Sequence, residues 1–290
     1  MRYCQYRPVP PLNEFVDFFW MIAGGQMNRR ERIFPSGRSE LVINLCEDEV
    51  RIYDSIQPER CRRLSGAVIS GAYSGVFICD AMQHQSMFGV HFRPGGAFPF
   101  LGAAATELAD AHARLEDLWG WAARDFRTRL CEAATTRGRF QLMEKTLLER
   151  LRRSQKRHSA IEIALRRFAL EGGYNATRDL AREVGLSQRR FIQLFALHVG
   201  LTPKLLCRIL RFQQARVLAE KVERRTGVGQ EQQRARGSVD WAEIAVTCGY
   251  YDQSHLVHDF EKFSGLSPAA YIRQLRPTKP LKDNHLPLPQ

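Results

Sequence analysis

Within GYYDQSHLVHDFEKFSGLSPAAYIRQLR (249–276), Gln253, Ser254, His255, Val257 and His258 interleave with Leu256, Phe260 and Phe263. The apolar trio falls at i, i+4 and i+7, the stripe by which a surface helix packs on a core. Pinning Leu256 and Phe260 inward turns positions 253, 254, 257 and 258 outward near the start of the helix. Those side chains share one kind of chemistry. Gln makes two parallel hydrogen bonds to an edge such as that of adenine, Ser and His make single ones, and Val covers a methyl group such as that of thymine. An earlier stretch, LAREVGLSQRRFIQLFALHVGLTPKLLCRILR (180–211), repeats the arrangement. Burying Phe191, Leu194, Phe195 and Val199 there exposes Gln188, Arg189, Ile192 and Gln193, and Arg is the commonest bidentate partner of guanine.

Other chemistries have weaker support. No GxSxG, P-loop or HExxH occurs. His84 and His91 lie seven apart with no HxH pair, so no metal site is expected from them. The seven cysteines (4, 46, 61, 79, 131, 207 and 248) are dispersed without a CxxC. That argues against a disulfide framework or zinc knuckle and for small, buried or half-buried thiols. The reading is therefore of a protein that is not an enzyme, with no catalytic residue, metal or cofactor.

The elements that must hold the outward residues are duplicated. Leu180-Ala181 and Gly185 correspond to Ile244-Ala245 and Gly249 at an offset of 64. Phe195, Gly200, Pro203, Arg208 and Arg211 correspond to Phe260, Gly265, Pro268, Arg273 and Arg276 at an offset of 65. In each copy a short helix carries Ala where a partner helix crosses, and Gly ends it. A polar N-cap candidate, Ser187 or Asp252, opens a second helix. A further Gly stops that helix, and Thr202-Pro203 or Ser267-Pro268 starts the next. Helix, tight turn, helix is the helix-turn-helix unit, whose second helix presents its N-terminal residues to base edges in the major groove. Arg208, Arg211, Arg273 and Arg276 stand at fixed distance after each Pro. They suit either phosphate contact, as do Gln188 and Arg190, or pairing with acids such as Glu183 or Glu243 that would brace the units.

Charge supports a polyanionic partner. The chain carries +12 overall, and residues 151–290 hold 24 Lys and Arg against 13 Asp and Glu, while residues 1–150 hold 19 against 18. The start of the chain has no apolar leader, and runs such as LVINLC (41–46) are too short to span a bilayer, so a cytoplasmic, nucleoid-associated protein without membrane contact is expected. ELVINL (40–45), EVRIYD (49–54), AVISGAYSGVFICD (67–80) and SMFGVHFRP (86–94) read as short strands of a small β-barrel or sandwich. Helical periodicity begins near Ala103, and Leu147, Leu148 and Leu151 form a stripe that is either core-facing or a dimer seam. The expected architecture is an α+β domain over 1–152 (a small β-barrel or cupin-like sheet plus helices), an all-α domain of two helix-turn-helix units over 153–276, and a disordered Pro-rich tail over 277–290. ERRTGVGQEQQRARGS (223–238) reads as a flexible loop.

At IAVTCGYYDQSHLVHDFEKFSGLSPAAYIRQ the sequence resembles the AraC/XylS family of bacterial transcription regulators, and the resemblance covers about residues 160–275. It implies two helix-turn-helix subdomains joined by a linker helix, here about Pro203–Lys221, each recognition helix entering one of two successive major-groove segments. Matched by position, the base-facing residues are Arg189, Ile192 and Gln193 in the first unit, and Gln253, Ser254, His255, Val257 and His258 in the second. The implied partners are double-stranded DNA and RNA polymerase, with a small-molecule effector and a homodimer as further expectations. Two departures stand out: Ile192 is apolar where the family has a polar residue, and 223–238 is longer than usual. Some DNA-repair methyl-acceptor proteins carry this helical region on a four-Cys zinc site, but that cluster is missing here. FVDFFWMIAGG, FPSGRSELVINL and GVHFRPGGAFPFLG resemble an uncharacterised N-terminal domain of a subgroup of these regulators, in the position of a sensor. There the HFRPGG turn with Arg93 suits a structural turn or an anion-binding one, and Trp20, Trp119 and Trp121 are expected to pack. The competing reading is a constitutive or architectural DNA-binding protein whose N-terminal domain only oligomerises.

Overall fold

The computed structural model describes residues 2–24, 30–80, 86–154, 156–171, 177–226, 239–275 and 285–288. The N-terminal half is built on two antiparallel sheets. The first runs in the order β1 (Arg2–Tyr6), β2 (Val16–Ala23), β9 (Ser86–Phe92), β4 (Glu40–Asn44), β7 (Ala67–Ser70), β10 (His112–Arg114). The second runs β11 (His285–Pro287), β3 (Arg30–Ile33), β8 (Phe77–Asp80), β5 (Glu49–Tyr53), β6 (Cys61–Ser65).

The first sheet is covered on both faces, and β2 shows how. Its side chains alternate, as strand geometry requires. Phe19 and Met21 join the core formed with the helices α1 (Phe98–Leu101), α2 (Leu115–Trp119), α3 (Trp121–Glu132) and α4 (Thr136–Arg153). Trp20 and Ile22 point the other way and pack with Met87 between the sheets. Trp20 pairs across the strand with Gly89, where any Cβ would stand 2.3 Å from the indole, so only glycine leaves room for it. Leu147 of α4 is buried in this core beside Phe140 and Met143, which favours the core-facing reading of the leucine stripe.

Four expectations need correction. AVISGAYSGVFICD is not one strand: β7 and β8 lie in different sheets, separated by the turn through Gly71. The tail holds a strand: β11 pairs with β3, and Leu286 is buried. Trp121 is 79% exposed at the start of α3 rather than packed. The linker helix runs further than expected, to Thr226, so only 227–238 of the loop remains, outside the described residues.

The C-terminal half is helical: α5 (Ser159–Glu171), α6 (Thr177–Glu183), α7 (Gln188–Val199), α8 (Pro203–Thr226), α9 (Trp241–Thr247), α10 (Gln253–Ser264) and α11 (Pro268–Leu275). One apolar core runs through all of it and takes in Phe34 from the N-terminal half. Phe34 is 1% exposed and meets Phe212 and Tyr271 edge-on at 6.1 and 5.7 Å. Gln213 Nε2 donates to the Pro35 carbonyl at 2.6 Å, and the His198 ring lies 4.0 Å from that of Phe98. None of the described helices is long and apolar enough to cross a membrane.

Candidate nucleic-acid interface

Each unit is held by the same local devices. The turn glycines Gly185 and Gly249 adopt φ of +71° and +68°, the left-handed region where a side chain is penalised. Ser187 caps α7 by accepting from the Arg190 N–H at 3.3 Å, and Asp252 caps α10 by accepting from the His255 N–H at 2.7 Å. Phe191, Leu194, Phe195 and Val199 are buried in the first unit, and Leu256, Phe260 and Phe263 in the second. Phe168 of α5 meets Phe195 edge-on at 5.5 Å, and Trp241 of α9 meets Phe260 at 5.3 Å, so each second helix is clamped by the helices before it.

With those stripes inward, the opposite face is open. Gln188, Arg189, Arg190 and Gln193 are exposed on the first two turns of α7, and Ile192 is half-buried beside them. Gln253, Ser254 and His258 are exposed on α10, and Val257 is half-buried. His255 is half-buried too: its ring stands edge-on to Tyr250 at 5.2 Å, and its Nδ1 accepts from the Tyr251 N–H at 3.5 Å. His255 is thus partly committed to holding its turn. Tyr251 was missed from sequence. It is 91% exposed in the turn before α10 and extends the same surface. Its signal was available: the apolar stripe starts only at Leu256, so nothing required Tyr251 to face inward.

The paired arginines divide. Arg208 of α8 grips Asp259 of α10, with Nε to Oδ1 at 3.1 Å and Nη2 to Oδ1 at 2.5 Å; Asp259 is 0% exposed. The carboxylate holds the Arg208 guanidinium above its ordinary pKa through that hydrogen bond. Arg211 donates Nη1 to the Gly249 carbonyl at 3.1 Å and covers the Tyr250 ring. Both brace the second unit against the linker helix, and Asp259 takes the place expected of Glu183 or Glu243. Further along α8, Arg216 pairs with Glu220, which accepts from the Tyr271 hydroxyl at 2.5 Å and so ties α8 to α11. Arg273 is exposed, and Arg276 lies outside the described residues. Burial pushes the Cys207 and Cys248 thiols up to about 11, so both stay protonated at neutral pH.

In the N-terminal half, the HFRPGG turn is engaged internally. Arg93 Nε donates to the Asn13 carbonyl at 2.8 Å, and Arg157 Nη2 donates to the Gly95 carbonyl at 3.2 Å, which favours the structural reading. A groove of about 710 Å³ opens between α1, α3 and α4, lined by Phe100, Trp119, Phe126, Arg150 and Arg153, with Leu197 of α7 at its rim. Arg150 stacks 3.6 Å from the Trp119 ring, and burial pulls its guanidinium down to about 10. A smaller cavity of about 60 Å³ lies between the sheets beside Trp20. Trp119 and Trp20 therefore pack and line cavities at once.

Residues 4–114 match a family model described as a domain of unknown function (DUF6597). No curated protein matches the chain. Among solved structures, an apo variant of ToxT from Vibrio cholerae is similar at 11% identity over 88% of this chain and 97% of that one, with a TM-score of 0.43. ToxT of the same organism is similar at 10% identity over 90% and 99%, TM-score 0.43. Its unsaturated fatty acid-bound form is similar at 10% over 88% and 94%, TM-score 0.45.

Proposed function

We propose that the chain is a sequence-specific DNA-binding transcription regulator of the AraC/XylS type, in which α7 and α10 read base edges in two successive stretches of major groove. One observation carries the reading: two capped helices, 65 residues apart in sequence, each bury an aromatic stripe and leave hydrogen-bonding side chains exposed at their N-terminal ends. Arg189, Gln193, Gln253, Ser254 and His258 are the readers, with Ile192 and Val257 as apolar contacts and His255 as a partial one. Gln188, Arg190 and Arg273 reach phosphates, while Arg208 and Arg211 hold the second unit in place. The N-terminal half is the regulatory half. The groove between α1, α3 and α4 would take a small molecule with an apolar body and an anionic group, because it offers aromatic walls and three arginines, Arg129, Arg150 and Arg153, against two acids, Asp125 and Glu149. Leu197 at its rim puts the end of α7 within reach of whatever binds there.

The test is selection of bound duplexes from a randomised pool. Wild type should enrich a two-block site. Arg189→Ala should relax one block and His258→Ala the other, each by about 1–3 kcal/mol of discrimination. Equal weakening on every sequence would reject base readout by these residues. Unchanged occupancy of the site across metabolite pools that leave the melting temperature unmoved would favour the architectural alternative.

A further inference from the structure

Three potential metal ligands meet on the inner face of the second sheet. Glu31 and Cys79 are directly paired across β3 and β8, and His285 on β11 pairs with Ile33, one inward position along from Glu31. Oxygen, sulfur and nitrogen donors of the three lie within 4.8 Å of one another, and His285 Nδ1 stands 2.8 Å from Glu31 Oε2. Glu31 is fully buried and His285 nearly so. The 60 Å³ cavity borders Cys79 and His285, roomier than the roughly 10–15 Å³ that one water needs.

We propose that Glu31, Cys79 and His285 form a divalent transition-metal site, with Zn²⁺ as the fitting ion, that staples the far end of the chain onto the N-terminal sheet. The donor set argues for this class of ion. Thiolate and imidazole favour zinc over magnesium or calcium, and three protein ligands plus a water in the adjacent cavity complete a tetrahedron. Donor atoms around tetrahedral zinc stand roughly 3–4 Å apart, a separation implied by bonds of about 2.0–2.3 Å. The donors here lie within 4.8 Å of one another and would draw closer around an ion. A dication would also balance the buried Glu31 carboxylate and the thiolate that Cys79 would supply as a ligand. Because the ligands come from residues 31, 79 and 285, binding closes a link between the two ends of the chain, and metal affinity becomes affinity of β11 for β3. The proposal is independent of whether α7 and α10 bind DNA.

The full chain, stripped with chelator and dialysed, is titrated with Zn²⁺ and separately with Co²⁺. The expected result is one Zn²⁺ per chain, and a Co²⁺ adduct with a thiolate charge-transfer band and the visible bands of tetrahedral cobalt. Cys79→Ser should abolish the charge-transfer band and weaken Zn²⁺ at least tenfold, and His285→Ala should weaken it at least tenfold. Cys46→Ser, at an exposed cysteine, should change neither. If Cys79→Ser lacks wild-type circular dichroism, His285→Ala and a chain ending at Asn284 decide, since both leave β3 and β8 intact. Substoichiometric binding, a cobalt spectrum without the thiolate band, or zinc affinity unchanged in the tail variants would overturn the proposal.

Discussion

Removing either partner of the Arg208–Asp259 pair should have unequal consequences, and the inequality separates a brace from a phosphate contact. Asp259 has no exposed surface, while the Arg208 side chain keeps 21% of its own. Arg208→Met would strand a carboxylate that no water reaches. Breaking a buried pair in this way costs about 3–5 kcal/mol. Asp259→Asn would instead leave a guanidinium that can turn toward solvent, still over the Phe263 ring at 5.5 Å. That loss should be about 1–3 kcal/mol, the scale of a hydrogen bond to a charged group. Arg208→Met combined with Asp259→Leu should recover most of the loss, because an apolar pair needs no desolvation offset. Urea unfolding by far-UV circular dichroism measures all four proteins, and the log of DNA affinity against log salt measures contact with phosphate. The brace predicts a large shift in midpoint for Arg208→Met and an unchanged salt slope. A cost under about 1 kcal/mol, together with a salt slope lower by about one, would assign Arg208 to a phosphate and refute the reasoning.

Binding to the preferred duplex should weaken by three to five decades between low and moderate salt, as about six to ten phosphate contacts require; a flat response would contradict the charge argument. Stability should fall as pH drops below about 6.5. Burial pulls His112 down to about 3 and His198 to about 4, so the unfolded chain takes up these protons first. Each histidine then costs up to about 1.4 kcal/mol per pH unit until its folded value is reached. Urea midpoints unchanged between pH 7 and pH 5 would contradict this. Phe34→Ala should remove about 3–5 kcal/mol of packing between Phe212 and Tyr271. It should also speed proteolysis between the two halves, and an unchanged cleavage rate would show that Phe34 does not hold them.

What could be read from sequence was whatever repeats locally. The stripes through Phe191 and Leu256, the caps Ser187 and Asp252 and the turn glycines are fixed by helical period and backbone preference, and each is in place. Pairings between distant residues were not legible. Arg208 could be matched to any nearby acid by sequence, and only the packing of α10 on α8 selects Asp259. The tail DNHLPLPQ reads as disordered because its prolines suppress strand pairing. At the free edge of a sheet that objection weakens, and β11 occupies such an edge. The split of 67–80 between two sheets also depends on tertiary closure rather than on composition. His285 beside Glu31 and Cys79 follows from those same long-range pairings, so no spacing rule could have found it.

The most direct measurement is a hydroxyl-radical footprint on the selected duplex. The account predicts two protected patches on one face of the DNA, centred about one helical turn or roughly 34 Å apart, with Arg189→Ala thinning one patch and His258→Ala the other. Patches on opposite faces, a single patch, or protection indifferent to both substitutions would contradict it.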